Sequence, residues 1–249
     1  MVSGESSRGV GPGDVVAGRY RVEELLGQGG FGDVYRATQL NIDRAVALKV
    51  VHPELLSSDR SLERFRREAR LAQSLEHPNT VRLYDFGQTE EGLPYIAWEL
   101  LRGRPLDVVL DEDGPLPPAR ATRVASQVIK ALMEAHDKGI VHRDIKPQNI
   151  FLSDFQGEPD FAKVLDFGVA KPQRSLAQGS TPVTMEGEII GTPAYMPPEQ
   201  VCGEAVGPQA DLYALGLVVA EMLAGEAVYS GGSSFEICAL QLSDDPPPI

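Results

Sequence analysis

The chain has 249 residues, enough for one large domain or two lobes with cores of their own. Its 42% hydrophobic and 24% charged residues are ordinary for a soluble globular protein, and a formal net charge of −13 argues against nucleic acid or an anionic membrane as main partner. The polar, Gly/Ser-rich start is not a secretory leader, and the best apolar run, 212–223, is too short to span a bilayer. Cys202 and Cys238 have neither metal-ligand nor disulfide-framework spacing, so a cytoplasmic location is expected, with a membrane span beyond residue 249 left open. Residues 175–249 contain ten acids and no Lys or Arg, which reads either as a solvated acidic surface or as an attraction for basic protein substrates.

Residues 1–18 read as a flexible leader and 19–249 as the folded domain. Short β-like runs follow at Tyr20–Leu26, Val34–Ala37 and Ala45–Val51. Leu62, Phe65, Ala69, Ala72 and Leu75 recur at helical spacing and predict a helix over 61–75. Strands are expected at 80–86 and 93–101. Beyond Gly103 the pattern turns helical. Pro117 and Pro118 suit a helix start, Val124, Val128 and Leu132 mark its buried face, and Gly139 ends it. Residues 211–224 are apolar nearly all round, as in a buried helix stopped by Gly225, with Asp211 at its N-cap. A β-rich lobe over about 19–101 thus precedes a mainly helical lobe over about 102–249.

Chemistry concentrates in three segments. Gly27-Gln28-Gly29-Gly30-Phe31-Gly32 would let backbone N–H groups approach phosphate oxygens without a Cβ in the way. Alone that pattern is weak, but a dinucleotide fold would follow it with a helix, whereas here Val34-Tyr35 continues a strand toward Lys49. Glu68, on the next predicted helix, is a partner for Lys49, with a surface pair to Arg64 as the plain alternative. The decisive run is His142-Arg143-Asp144-Ile145-Lys146-Pro147-Gln148-Asn149, followed seventeen residues later by Asp166-Phe167-Gly168. From Tyr20 to Ile249 the chain resembles the protein kinase superfamily, and Gly191-Thr192 through Glu199-Gln200 resembles its bacterial eukaryotic-like serine/threonine branch.

The resemblance implies an α+β, two-lobe kinase fold, with a small antiparallel β-rich N-lobe and a helical C-lobe lacking its last helices. It also implies transfer of the γ-phosphoryl group of Mg-ATP to protein Ser/Thr hydroxyls, with Mn²⁺ as a substitute metal. Asp144 would be the base, Lys146 the γ-phosphate contact, and Asn149 and Asp166 the metal ligands. Lys49, held by Glu68, would take the α/β-phosphates under the 27–32 loop. Val34, Ala47 and Phe151 would sandwich adenine, with Glu99 and Leu101 at its hinge. Thr192 would bond near Asp144 and Lys146 in the substrate loop, and Asp211 would brace the catalytic loop. Arg143 implies control by a phosphate on the activation segment, shared with Lys171, with Thr184 and then Thr181 as acceptors. Trans-autophosphorylation there would require self-association of two copies.

Three departures stand out. Trp98 occupies the position before the hinge where Met, Leu or Thr is usual, and an indole there should close the pocket behind adenine. Pro197-Pro198-Glu199 replaces Ala-Pro-Glu. Glu199 normally pairs with a late arginine, and no base follows Arg174. If buried and unpaired it would cost several kcal/mol, on the order of a broken buried ion pair, and low stability would follow. The alternative function is therefore a truncated, weakly active kinase-like module that binds nucleotide or protein. A small-molecule kinase is disfavoured by the protein-substrate loop at 191–199.

Overall fold

The computed structural model describes residues 10–52, 58–155, 157–167 and 193–243. The chain divides into two compact units. Among the described residues, one comprises 10–52, 58–74 and 82–101; the other comprises 75–81, 102–155, 157–167 and 193–243.

The first unit is built on a six-stranded antiparallel sheet in the order β1-β2-β3-β4-β6-β5. Its strands are β1 (Val15–Val16), β2 (Tyr20–Gly29), β3 (Gly32–Gln39), β4 (Arg44–Val51), β5 (Leu83–Gln88) and β6 (Pro94–Glu99). Alternation along β4 buries Val46, Leu48 and Val50 on one face. There they form a core with Tyr20, Val22, Tyr35, Ala37, Tyr95 and Ala97. Residues 10–18, expected within a flexible leader, are instead fastened to this face. Tyr35 donates its hydroxyl proton to the Val10 carbonyl (2.8 Å), Val22 N–H reaches the Asp14 carbonyl (2.9 Å), and Val16 joins the core. The apolar Val10, Val16 and Ala17 drive this, since the aromatic face beneath them gains a cover. Residues 1–9 lie outside the described residues.

The polar edge of that core is a cluster around Asp85. Tyr20 donates to Asp85 at 2.6 Å and Arg19 pairs with it at 3.0 Å, while Arg19 also donates to the Tyr95 hydroxyl. Burial, then the Asp85 carboxylate, raises both phenols above their usual pKa, Tyr20 by a wide margin. Helix α1 (Asp59–Gln73) belongs to the same unit. Its N-terminus is fixed by a capping box in which Ser58 and Ser61 exchange hydrogen bonds, and it buries Phe65, Ala69 and Ala72.

The second unit is mainly helical among its described residues, with α2 (Leu106–Asp113), α3 (Pro118–Asp137), α4 (Pro198–Val201), α5 (Pro208–Ala224) and α6 (Ser234–Gln241). A small antiparallel sheet, β7 (Gly103–Pro105), β8 (Ile150–Phe155) and β9 (Glu158–Val164), completes it. The α3 face of Val124, Val128 and Leu132 is buried as its spacing requires. The hairpin end is clamped to α3, because Arg120 and Arg123 both bind Asp160 and hold its carboxyl below the ordinary aspartate range. Gly225 ends α5 in a left-handed conformation, accepting the stop that its sequence position suggested.

Candidate active site

In the first unit, strand register sets the geometry. Gly27 faces Val34 across β2 and β3, and Val34 faces Lys49 across β3 and β4, so the three form one transverse row. Val34 and Lys49 therefore project from one face, with Ala47 two residues along on the same side. Ile96 and Trp98 stand opposite Lys49 and Ala47 on β6 and extend that face. The Trp98 indole is nearly buried, and its centroid lies 6.0 Å from the Lys49 ammonium, at the outer range of a cation–π contact. Glu68 lies partly buried on α1.

The glycines divide by what a side chain would meet. A Cβ on Gly32, at φ 145, would collide with the Val50 carbonyl, so the close approach of β3 and β4 requires glycine there. Cβ atoms on Gly27 or Gly30 would meet nothing within 4 Å, and one on Gly29 only the Gly32 carbonyl at 3.7 Å. The fold leaves those three positions open, which suits a loop that must admit a ligand to its backbone. Gln28, between them, is exposed, and Phe31 is partly so. Glu99 spends both its groups on Arg82, its N–H on the Arg82 carbonyl (3.0 Å) and its carboxylate on the Arg82 N–H (2.7 Å). Leu101 is half-buried just beyond.

In the second unit a buried carboxylate organises the site. Asp211 was expected at a helix N-cap, but Gly207 takes that place and Asp211 sits one turn inside α5. Its carboxylate accepts hydrogen bonds from His142 N–H (2.9 Å), Arg143 N–H (2.7 Å) and the His136 ring (2.7 Å). These hold Arg143 at φ 64, a conformation that costs a non-glycine residue about 1–3 kcal/mol unless its surroundings enforce it. His142 is pinned in turn. Its Nε2 lies 2.7 Å from the Leu165 carbonyl, which can only accept, so Nδ1 is left to accept from Asp144 N–H (3.3 Å). The ring also meets Phe167 edge-on at 4.8 Å. His142 opens the run that the sequence marks as decisive, without a role of its own there, and no sequence signal marks His136.

Around Asp144 the expected groups converge. Asn149 Nδ2 donates to the Asp144 carboxylate (2.6 Å) and carbonyl (2.7 Å), and Lys146 Nζ stands 3.5 Å from the same carboxylate. Because the amide nitrogen faces Asp144, Oδ1 is the end of Asn149 left for a cation. Asp166 follows with a left-handed φ of 50, and Leu165 N–H binds the Asn149 carbonyl (2.9 Å), tying the two oxygen donors together. No cluster of three or more His, Cys, Asp or Glu that could hold a metal occurs among the described residues. Magnesium fits nonetheless, since it takes hard oxygens, keeps waters, and draws its remaining ligands from phosphates. Phe151 is half-buried on β8.

A concavity beside Asp144 is walled by Arg143, Tyr195, Met196, Pro197 and Gln200. Tyr195 donates to Glu221 at 2.6 Å, and burial, then this bond, raises the phenol far above its usual pKa. Glu199 is partly exposed on α4 rather than buried, which lowers the desolvation cost expected of it. Its charge helps raise the Tyr213 phenol, after burial and a neighbouring Tyr229. Thr181, Thr184, Thr192 and Lys171 lie outside the described residues.

A protein kinase domain family model matches residues 20–244. Serine/threonine-protein kinase pkn3 of Myxococcus xanthus is 43% identical over 236 residues, covering 95% of this chain and 43% of its own length. Serine/threonine-protein kinase PknB of Mycobacterium leprae is 39% identical over 233 residues, covering 92% and 36% respectively. The chain thus spans less than half the length of these curated relatives. Among solved structures, the kinase domain of Mycobacterium tuberculosis PknI aligns with a TM-score of 0.70 at 25% identity, over 96% of this chain and 93% of that one. No described helix is long and apolar enough to cross a membrane. With the family model spanning both units and the catalytic-loop geometry in place, the chain belongs to the protein kinase domain family.

Proposed function

We propose that this chain is an ATP-dependent serine/threonine protein kinase that uses Mg²⁺, with Mn²⁺ as a substitute, and acts on protein substrates. The observation that carries the reading is the convergence of Asn149 and Lys146 on the Asp144 carboxylate. Bound magnesium would neutralise phosphate charge while Asn149 Oδ1 and the Asp166 carboxylate hold it in place. Asp144 orients the substrate hydroxyl and takes its proton as the oxygen bonds to the γ-phosphorus and the bond to the β-phosphate oxygen breaks, leaving ADP. Lys146, beside that carboxylate, offsets negative charge on the transferring group. In the first unit Lys49, oriented by Glu68, and the open backbone of Gly27, Gly29 and Gly30 take the phosphates. The acid-only stretch 175–249 supports a preference for basic substrates.

The test is transfer of labelled γ-phosphate to basic and acidic Ser/Thr peptides by the wild type, Lys49→Met and Asp144→Asn. Transfer by the wild type alone, stronger on the basic peptide, is expected. Equal labelling by all three proteins would end the reading, and equal rates on both peptides would remove the basic preference.

A further inference from the structure

Helix α6 carries one side chain whose bonding goes beyond what packing a helix requires. Gln241 is 3% exposed, and its amide is fully used. Nε2 donates to the carbonyls of Pro193 (3.0 Å) and Ala194 (2.9 Å), while Oε1 accepts the Tyr213 hydroxyl proton at 2.5 Å. The opposite amide orientation would aim an oxygen at two carbonyl oxygens, which can only accept, so the two carbonyls fix this one. The two carbonyls belong to the 3-10 turn Pro193–Tyr195, where Pro193 also accepts Met196 N–H at 3.1 Å. Beside this link, Cys238 of α6 packs with Met196 and Val201. The same segment, Tyr195 to Pro197, forms the wall of the concavity that holds Asp144. A polar latch and an apolar contact therefore join α6 to the wall facing the base.

We propose that Gln241, oriented by Tyr213, is a positioning residue for the peptide substrate: it holds the 193–196 backbone at the place where that wall meets the residues flanking the phosphoacceptor. This deepens the kinase reading and rests on it for its catalytic meaning. Neither Gln241 nor Tyr213 reaches the reacting atoms. Their loss should therefore loosen peptide binding and leave nucleotide handling alone.

The experiment compares wild type with Gln241→Met, which keeps the side-chain shape and removes the amide, and with Tyr213→Phe, which removes the orienting donor together with the Tyr213 hydrogen bond to Tyr229. Ser233→Ala serves as control, because it weakens the α6 N-cap, where Ser233 and Glu236 form a capping box, without touching the turn. For Gln241→Met the KM for a peptide substrate should rise roughly five- to tenfold, about 1–1.4 kcal/mol of lost binding, with the KM for ATP within twofold. Tyr213→Phe should shift the peptide KM in the same direction by about two- to threefold, the size expected when one hydrogen bond is weakened. The Met196 amide should exchange with solvent faster in both variants, and Ser233→Ala should lower the melting temperature with the peptide KM unchanged. Gln241→Met with an unaltered peptide KM, or with the pattern of Ser233→Ala, overturns the proposal, and if that variant does not fold, an unaltered Tyr213→Phe does so. A wild type that labels no peptide removes the kinase reading instead, and Met196 exchange still decides whether Gln241 holds the turn.

Discussion

The two units position their chemical groups by different means. In the first, Lys49, Val34 and Ala47 are set by strand register, and the glycine run beside them is sterically open at Gly27, Gly29 and Gly30. In the second, Asp144 and its neighbours stand on irregular backbone with left-handed residues at Arg143 and Asp166, and the backbone N–H groups of His142 and Arg143 are held by the buried Asp211 carboxylate. A sheet tolerates change at a loop that nothing packs against. A strained loop depends on every bond that enforces it. Admitting a ligand calls for open backbone, whereas holding a side chain within a fraction of an ångström calls for enforced backbone.

The largest effect that would sharpen this contrast is on rate. Asp144→Asn should lower phosphoryl transfer by about 10²–10⁴-fold, the range for loss of a general base, with little change in melting temperature. Transfer within tenfold of wild type would show that the base lies elsewhere. Next is the brace. Asp211→Ala leaves the buried N–H of His142 and the partly buried N–H of Arg143 without their acceptor and should cost about 3 kcal/mol in urea unfolding. A loss below about 1 kcal/mol, the size of one ordinary hydrogen bond, would break the claim that this carboxylate organises the loop.

Within the first unit the glycines should separate. Gly32→Ala is expected to destabilise by about 1–3 kcal/mol, since the backbone there excludes a Cβ. Gly29→Ala should stay within about 0.5 kcal/mol of wild type yet raise the KM for ATP. Equal stability losses would erase the distinction between a fold glycine and a ligand glycine. Trp98→Met should leave ATP turnover near wild type and open the space behind adenine, so compounds that need this space should gain potency. Equal potency on both proteins would refute the blocking role of the indole.

The smallest effect is a pH dependence far from the site. Arg120, and then Arg123, lower the Asp160 carboxyl in the folded state, despite some opposing burial. The unfolded chain therefore takes up the proton first as pH falls. The stabilisation is complete above the ordinary aspartate range near pH 4, about 3.9 in unstructured peptides, and is lost as pH drops through the lower folded value. Asp160→Asn should be less stable at neutral pH, and the gap to wild type should close on acidification in thermal melts. A gap that stays constant with pH would contradict the assignment.

Legibility in the sequence followed the range of the interactions. The strands before and after the glycine run, the helix bearing Glu68 and the α3 face were all readable within a few residues of one another, because side-chain period reports the buried face directly. The short α2 and the β8–β9 hairpin carry too few residues for a clear period, and α6 meets its partner, the Pro193–Tyr195 turn, some way back in the chain. Residues 10–18 look like linker by composition. Nothing local reveals that Tyr35, 25 residues on, takes up the Val10 carbonyl.

The sequence alone nominated the residues proposed to supply the chemistry, because acid, amide and lysine stand at fixed spacing around Asp144, with Asp166 beyond. Only the tertiary structure decided what holds them. Asp211 reads locally as a helix cap, yet it binds backbone 69 and 68 residues away, and Gln241 reads as an unremarkable end of a helix, yet it grips a turn 48 residues back. Hydrogen bonds at that separation leave no period or motif in the chain. They arise only when folding buries an unsatisfied donor or acceptor beside the one group able to meet it.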